Sequence, residues 1–317
     1  MDLYRLVAEF YHHLLVNTEE GDRAFEYLQG RGFTREIMDR FQLGYSYKGD
    51  VLLKLLTSRG YEPKTLLDAG LLRVDSNGEY RDFFYGRIMF PIRNEEGEIV
   101  AFSGRVLPSN THPAKYLNTP DTPFFGKGEL LFNLDRAKDT IKEKNVLVLF
   151  EGYFDTITAE QHGIHHVSSV MGTALTDMQI EKISSLTDRI VICFDGDKAG
   201  MQSAIRRSEE LLERGFEVRL SVLPEGIDPH DFISKHGEEK FRKEIISKSL
   251  THIEFCKEAT KRKSDFNLEK DRINYSKAIL AELPKVESVT EQRALLNETA
   301  LDVDASIDFL KMIYKRG

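Results

Sequence analysis

Two short runs of uninterrupted apolar residues, Val146 to Phe150 and Ile190 to Phe194, both end in acid. Glu151 follows the first, and Asp195 and Asp197 follow the second. Continuous apolar runs of this length suit strands buried on both faces of a parallel sheet. The functional crevice of such a sheet lies at the carboxyl ends of its strands. Three acids delivered there repel one another unless a divalent cation neutralises them. A hard-cation site, used for phosphate chemistry, is therefore the first expectation.

The surrounding pattern supports the sheet. Strands are expected at Val146–Phe150, His166–Val170, Ile190–Phe194 and Val218–Leu223, with helices between them. Thr176 and Gln179 form the signature of a capping box, and Ala199 to Arg214 places Met201, Ala204, Ile205, Leu211 and Leu212 on one helical face. Upstream, residues 1 to about 72 read as small helices, and Tyr80 to Val106 as strands around the hairpin-like RNEEGE. The segment LPSNTHPAKYLNTPDTPFFGKG reads as a long loop, a feature uncommon without a function. Residues 240–317 are charged and periodically apolar, which predicts a helical bundle. The expected class is α/β (α+β overall). Residues 1–140 form a mixed α+β subdomain, 141–239 a catalytic domain with a four-stranded parallel sheet, and 240–317 a helical subdomain.

Composition excludes several classes. No stretch has the length and apolarity of a membrane span, and the amino terminus lacks a signal-peptide layout. Two cysteines, Cys193 and Cys256, cannot build a disulfide framework or a cysteine zinc site. A cytoplasmic setting fits. The net charge of −8 argues against a general nucleic-acid coat, yet Ala101 to Gly128 holds Arg105, Lys115 and Lys127 against the single acid Asp121.

Singly, each acid has an ordinary structural explanation: Asp197 as a helix N-cap, Asp195 in a solvated turn, Glu151 capping the helix after Gly152. The ordered set is more telling. EGYFD, then MGTALT at Met171–Thr176, then FDGDKAG resembles the Toprim domain of primases, topoisomerases and related nucleases. The flanking GRIMFPI, FSGRVL, AKYLNTPDT and FFGKGELLFNL resemble the catalytic core of bacterial DnaG-type primase, in the family's order.

The resemblance implies a DNA-directed RNA polymerase that makes short primers on single-stranded DNA from ribonucleoside triphosphates. Glu151, Asp195 and Asp197 would be catalytic and, with Asp228, would bind Mg²⁺ or Mn²⁺. The family's D-P-D pair is departed from here, since His230 stands at the second acid's place with Asp231 next. Either could supply the remaining ligand, and Asp231 could equally be a helix cap. Arg105, Lys115, Tyr116, Asn118 and Lys127 match family residues that contact template or nucleotide, and they carry the components of a single-strand groove. Arg87 could pair with Asp82 or face nucleic acid. His12 and His13 read as surface residues, and His165 and His166 as structural ones.

The family's zinc ribbon and helicase-binding domain have no counterpart in the sequence. The expectation is an isolated, monomeric catalytic core, with no zinc in this fragment and with the replicative helicase reached through a missing carboxyl-terminal domain. A Toprim nuclease and a degenerate, non-catalytic nucleic-acid-binding module are the competing readings.

Overall fold

The computed structural model describes residues 2–108, 113–172, 175–286 and 288–316. The chain is mixed α/β with a helical carboxyl-terminal region, as expected, and divides into two compact units. One comprises Met1–Arg189 with Pro229–Phe241, the other Ile190–Asp228 with Arg242–Gly317.

In the first unit the Arg87–Arg93 and Ile99–Val106 strands form the expected hairpin, turning where the Gly97 amide donates to Asn94 O. The Tyr116–Asn118 strand pairs antiparallel with one side of this hairpin and Gly44–Ser46 with the other. The sheet is covered on both faces. Ile88, Phe90 and Ile92 enter one core with Leu28, Phe33 and Phe154, while Met89 and Phe102 enter another with Tyr4, Val7 and Leu52. That is why IMFPI reads as a continuous apolar run rather than an alternating one.

Residues 1 to about 72, expected to be short helices, also carry a strand at Gly44–Ser46. Three residues are too few for a period of two to show in sequence. Gly44 lets its strand lie on the Asp2–Asn17 helix, because a Cβ there would stand 2.5 Å from Tyr11 Cβ. His12 also departs from expectation. It is half-buried, with Nδ1 2.7 Å from Leu43 O and Nε2 3.0 Å from Asp39. His13 is exposed as expected, and His166 is buried.

The same unit contains the strands Leu147–Phe150 and Val167–Ser169, paired in parallel through the register Val148↔Val167. The Tyr153–Gln161 helix makes the crossover that a parallel pair requires. The predicted capping box is present, with the Thr176 hydroxyl accepting from Gln179 N and the Gln179 side chain accepting from Thr176 N.

In the second unit the strands Arg189–Ile192 and Glu217–Leu220 flank the Lys198–Glu213 helix, and Ser221 N donates to Ile192 O at 2.8 Å. The helices His252–Lys261, Glu269–Glu282, Val289–Asp302 and Ile307–Arg316 follow, with Tyr275, Ile279, Leu280, Leu295 and Leu310 among the buried residues of their core. Among the described residues no helix is long and apolar enough to cross a membrane.

Candidate active site

Glu151 is half-buried and directly follows the Leu147–Phe150 strand. The chain then turns at Gly152, whose extended backbone makes it the N-cap of the Tyr153–Gln161 helix, so the cap is Gly152 and not Glu151. The next two residues anchor this turn. Tyr153 stacks on Phe90 with ring centroids 5.2 Å apart, meets Phe132 edge-on at 4.8 Å, and donates its hydroxyl to Asn118 Oδ1 at 3.2 Å. Phe154 lies 4.2 Å beneath the Arg105 guanidinium.

Register completes the face. Arg105 pairs with Tyr116, and Ser103 with Asn118, across the Ile99–Val106 and Tyr116–Asn118 strands. Alternation therefore presents Arg105, Tyr116 and Asn118 on one side of the sheet. Arg105 also lies over the rings of Tyr27 and Tyr116, at 5.5 and 5.6 Å. Burial pushes the Tyr116 phenol up to about 12, so it stays neutral at working pH. Three of the five sequence-predicted binding residues are thus gathered beside the turn that carries Glu151. Lys115 is exposed at the start of the short strand. Lys127 belongs to a pinned loop, where its amide donates to Asp121 and its carbonyl accepts from the Gln179 amide.

Arg87 is buried, 3% exposed, and donates to Gly104 O at 2.9 Å and Ala114 O at 3.2 Å, holding the backbone just before Lys115. Asp82, weighed above as its partner, accepts instead from Leu52 N and Leu53 N, and burial raises its carboxyl to about 6.

In the second unit Asp195 is half-buried and Asp197 exposed. Asp197 is indeed the N-cap of the Lys198–Glu213 helix, accepting from Gly200 N at 2.7 Å through one carboxylate oxygen. The glycines of the D-G-D-K-A-G segment are demanded by packing. A Cβ at Gly196 would lie 2.2 Å from Pro224 O, and one at Gly200 would lie 2.4 Å from Asp195 O. Gly196 N donates to Ile227 O at 3.0 Å. That bond brings the Asp195–Asp197 loop against the segment ending in Asp228, so the Asp195–Asp197 pair and the distant Asp228 come from adjoining loops. Thr173, the second residue of the GT in MGTALT, and Ala174 after it lie outside the described residues.

His230 and Asp231 belong to the first unit. His230 is 2% exposed, set edge-on to Phe33 and Phe154 at 5.7 Å each. Its Nδ1 is 2.5 Å from Thr158 Oγ1, and its amide donates to the buried carboxylate of Asp155 at 3.1 Å. Burial, aided by Arg31, lowers its pKa to about 4. Asp231 lies 3.4 Å from the Arg31 guanidinium. Asp155, inside EGYFD, escaped the sequence reading. Its place in the first turn of the helix, three residues after the Gly152 N-cap, was the available signal.

Residues 10–138 match the family model described as DNA primase catalytic core, N-terminal domain, and residues 148–233 match one described as Toprim-like. A solved DNA primase domain from Pseudomonas aeruginosa superposes with a TM-score of 0.78 at 33% identity, over 99% of both chains. The chain belongs to the DNA primase catalytic-core family. A DnaG primase catalytic domain bound to ssDNA superposes with a TM-score of 0.74 at 30% identity, over 96% of this chain and 95% of that one. Among curated sequences, the DNA primase of Halalkalibacterium halodurans is 37% identical over 313 residues and that of Geobacillus stearothermophilus 38% over 316. Each comparison covers 98% of this chain but 52% and 51% of the relative, so this primase core spans about half the length of those relatives.

Proposed function

We propose that this chain is the polymerising core of a primase, joining ribonucleotides into short RNA primers on single-stranded DNA. One observation carries the reading: the turn bearing Glu151 is packed, through Tyr153 and Phe154, onto the face of Arg105, Tyr116 and Asn118. Aromatic and guanidinium surfaces next to a phosphate-chemistry acid suit a base-stacked single strand whose backbone must reach a reacting phosphate. The relative solved with ssDNA supports the same choice of ligand.

The donor set fits a hard divalent cation. Asp195, Asp197 and Asp228 offer carboxylate oxygens from adjoining loops, and the Asp197 cap bond to Gly200 occupies only one of its two oxygens. These three would hold Mg²⁺ or Mn²⁺. Glu151 is assigned to the same chemistry, as ligand or base, on the order of the motifs. When bound, such an ion neutralises triphosphate charge and activates a hydroxyl nucleophile. The chain's own groups orient the strand: Arg105 and Tyr116 offer stacking planes, Asn118 is fixed by Tyr153, and Lys115 and Lys127 supply phosphate-binding charge. His230, buried against Thr158 and two phenyl rings, is left out of the ligand set, and Asp231 is read as the ion-pair partner of Arg31. Arg87 is read as support for the track's backbone. A cytoplasmic monomer that meets its helicase through sequence beyond this core completes the proposal.

The test is incubation with single-stranded DNA, labelled ribonucleotides and Mg²⁺ or Mn²⁺, beside Asp195→Ala. Short RNA products should fall on the order of 100-fold in the variant, the scale of losing one positioned electrostatic group. Degraded DNA instead of RNA would favour the nuclease reading. Binding without turnover would favour a non-catalytic module.

A further inference from the structure

The second unit holds a cluster that the polymerising reaction does not use. His252 and Cys256 stand one turn apart on the His252–Lys261 helix and face Glu282 at the end of the next helix. His252 and Cys256 are buried, at 6% and 7% exposure. His252 Nε2 is 3.3 Å from Glu282 Oε2 and 3.6 Å from Cys256 Sγ, and Glu209 Oε1 of the Lys198–Glu213 helix is 4.0 Å away. One ligand atom from each of His252, Cys256 and Glu282 lies within 4.8 Å of the others. Bonds of 2.0 to 2.3 Å around tetrahedral zinc put neighbouring ligand atoms roughly 3.3 to 3.8 Å apart. The two shortest separations already fall in that interval.

The proton arrangement points the same way. The Ser208 hydroxyl donates to Ile205 O at 2.7 Å, so it can only accept from His252 Nδ1, 2.6 Å away. The imidazole proton is thereby fixed on Nδ1. In the neutral ring the Nε2 lone pair is then aimed at a carboxylate and a sulfur, an arrangement that a cation between them stabilises. A hydrogen-bonded Nδ1 is the usual outer-shell support of a metal-binding imidazole. Lys285 Nζ lies 2.8 Å from both Glu209 Oε1 and Glu282 Oε2, supplying the positive charge that these carboxylates need without an ion. Its side chain is half exposed and free to withdraw toward water.

We propose that His252 Nε2, Cys256 Sγ, Glu282 and Glu209 bind a zinc-class divalent cation that ties three helices of the second unit together. On binding, Cys256 gives its thiol proton to solvent and coordinates as thiolate, while Lys285 remains beside the carboxylates to balance their charge. A sulfur and an imidazole select a softer ion than the all-oxygen aspartates do. The consequence reaches the acids. Phe255, between the two helical ligands, lines a narrow cleft together with Asp195, Gly196 and Met201. Fixing this helix therefore fixes one wall beside the catalytic loop.

The experiment titrates the metal-stripped full chain with Co²⁺ and follows its absorbance. One equivalent should produce a thiolate-to-cobalt charge-transfer band and the intense visible bands of four-coordinate cobalt. Zn²⁺ should bleach both, and excess Mg²⁺ should not. Cys256→Ser should abolish the charge-transfer band and Cys193→Ala should retain it, while Ser208→Ala weakens Co²⁺ binding about 10-fold. Absence of the band in the unmodified chain, its survival in Cys256→Ser, or its loss in Cys193→Ala would overturn the site. The readout is independent of primer synthesis, so failure of the proposed polymerase activity leaves this test intact.

Discussion

The two units hold their functional groups by different means. In the first, the Glu151 turn and the Arg105–Tyr116–Asn118 face are set by rings: Phe90, Phe132, Tyr153 and Phe154 interlock, and the polar groups are threaded through them. In the second, Asp195 and Asp197 are set by backbone. A helix cap, an amide-to-carbonyl bond and two glycines let one chain segment touch another. Ring packing spreads its energy over many contacts, so single changes should be graded. Backbone approach has no slack, and the smallest addition there should be severe.

Gly196→Ala probes the rigid side and should have the largest effect. Its methyl meets Pro224 O and Ile227 O, neither of which is the end of a flexible side chain. A cost of about 3 kcal/mol, the upper end for overpacking, is expected in denaturant titration, with primer synthesis lost together with the Gly196–Ile227 bond. A variant of wild-type stability and activity would show that the two loops are not locked.

His230 tests the ring-packed side by pH. Its folded pKa of about 4 lies below the ordinary 6.5, so the folded state binds its proton less readily than the unfolded chain. Stability is complete above pH 6.5 and is lost as pH falls toward 4, by roughly 3 kcal/mol in all. Glu282, lowered to about 2 by its contacts with His252 and Lys285, makes its own loss in a separate window, from pH 4.5 downward. Measured stability of His230→Asn, whose amide can replace Nδ1 toward Thr158, should lack the upper window. An unchanged profile between pH 6.5 and 4.5 would mean that His230 is not buried neutral.

Asp197 separates cap from chemistry. Asn caps helices about as well as Asp, so Asp197→Asn should change stability by only about 0.5 kcal/mol. It should still slow primer synthesis about 100-fold, or about 2.7 kcal/mol, by removing a charge. Equal losses in both measurements would reduce Asp197 to a cap.

Asp197 also shows how sequence and structure divided the problem. Its capping role and its place in the acid set were both legible, because D-x-D after an apolar run marks strand end and helix start together. The parallel strands, the hairpin, the Thr176 box and the carboxyl-terminal helices were legible for the same reason: each is local and periodic. What escaped depends on partners far along the chain. Gly44–Ser46 becomes a strand only because Arg87–Arg93 lies beside it. His230, one of two candidates for the remaining ligand, is enclosed by Phe33 and Thr158, neighbours that no local pattern announces. His252 and Cys256 were within sight as an i, i+4 pair, but too few cysteines for a ribbon said nothing about a mixed donor set that also draws on Glu209 and Glu282.

The smallest expected effect belongs to Arg105→Lys, and it decides what the ring-packed face does. Lysine keeps the charge but loses the planar guanidinium that lies over Phe154, Tyr27 and Tyr116. If Arg105 acts as a stacking plane for bases, affinity for single-stranded DNA should fall about 5-fold, the equivalent of roughly 1 kcal/mol of cation–π and stacking contact. The dependence of that affinity on salt should not change, because the number of cations near the phosphates is the same. If affinity holds for Lys but drops for Arg105→Gln, with the salt slope shallower by about 1, Arg105 is a phosphate contact instead. The aromatic rings beneath it would then serve to aim a charge rather than to extend a stack.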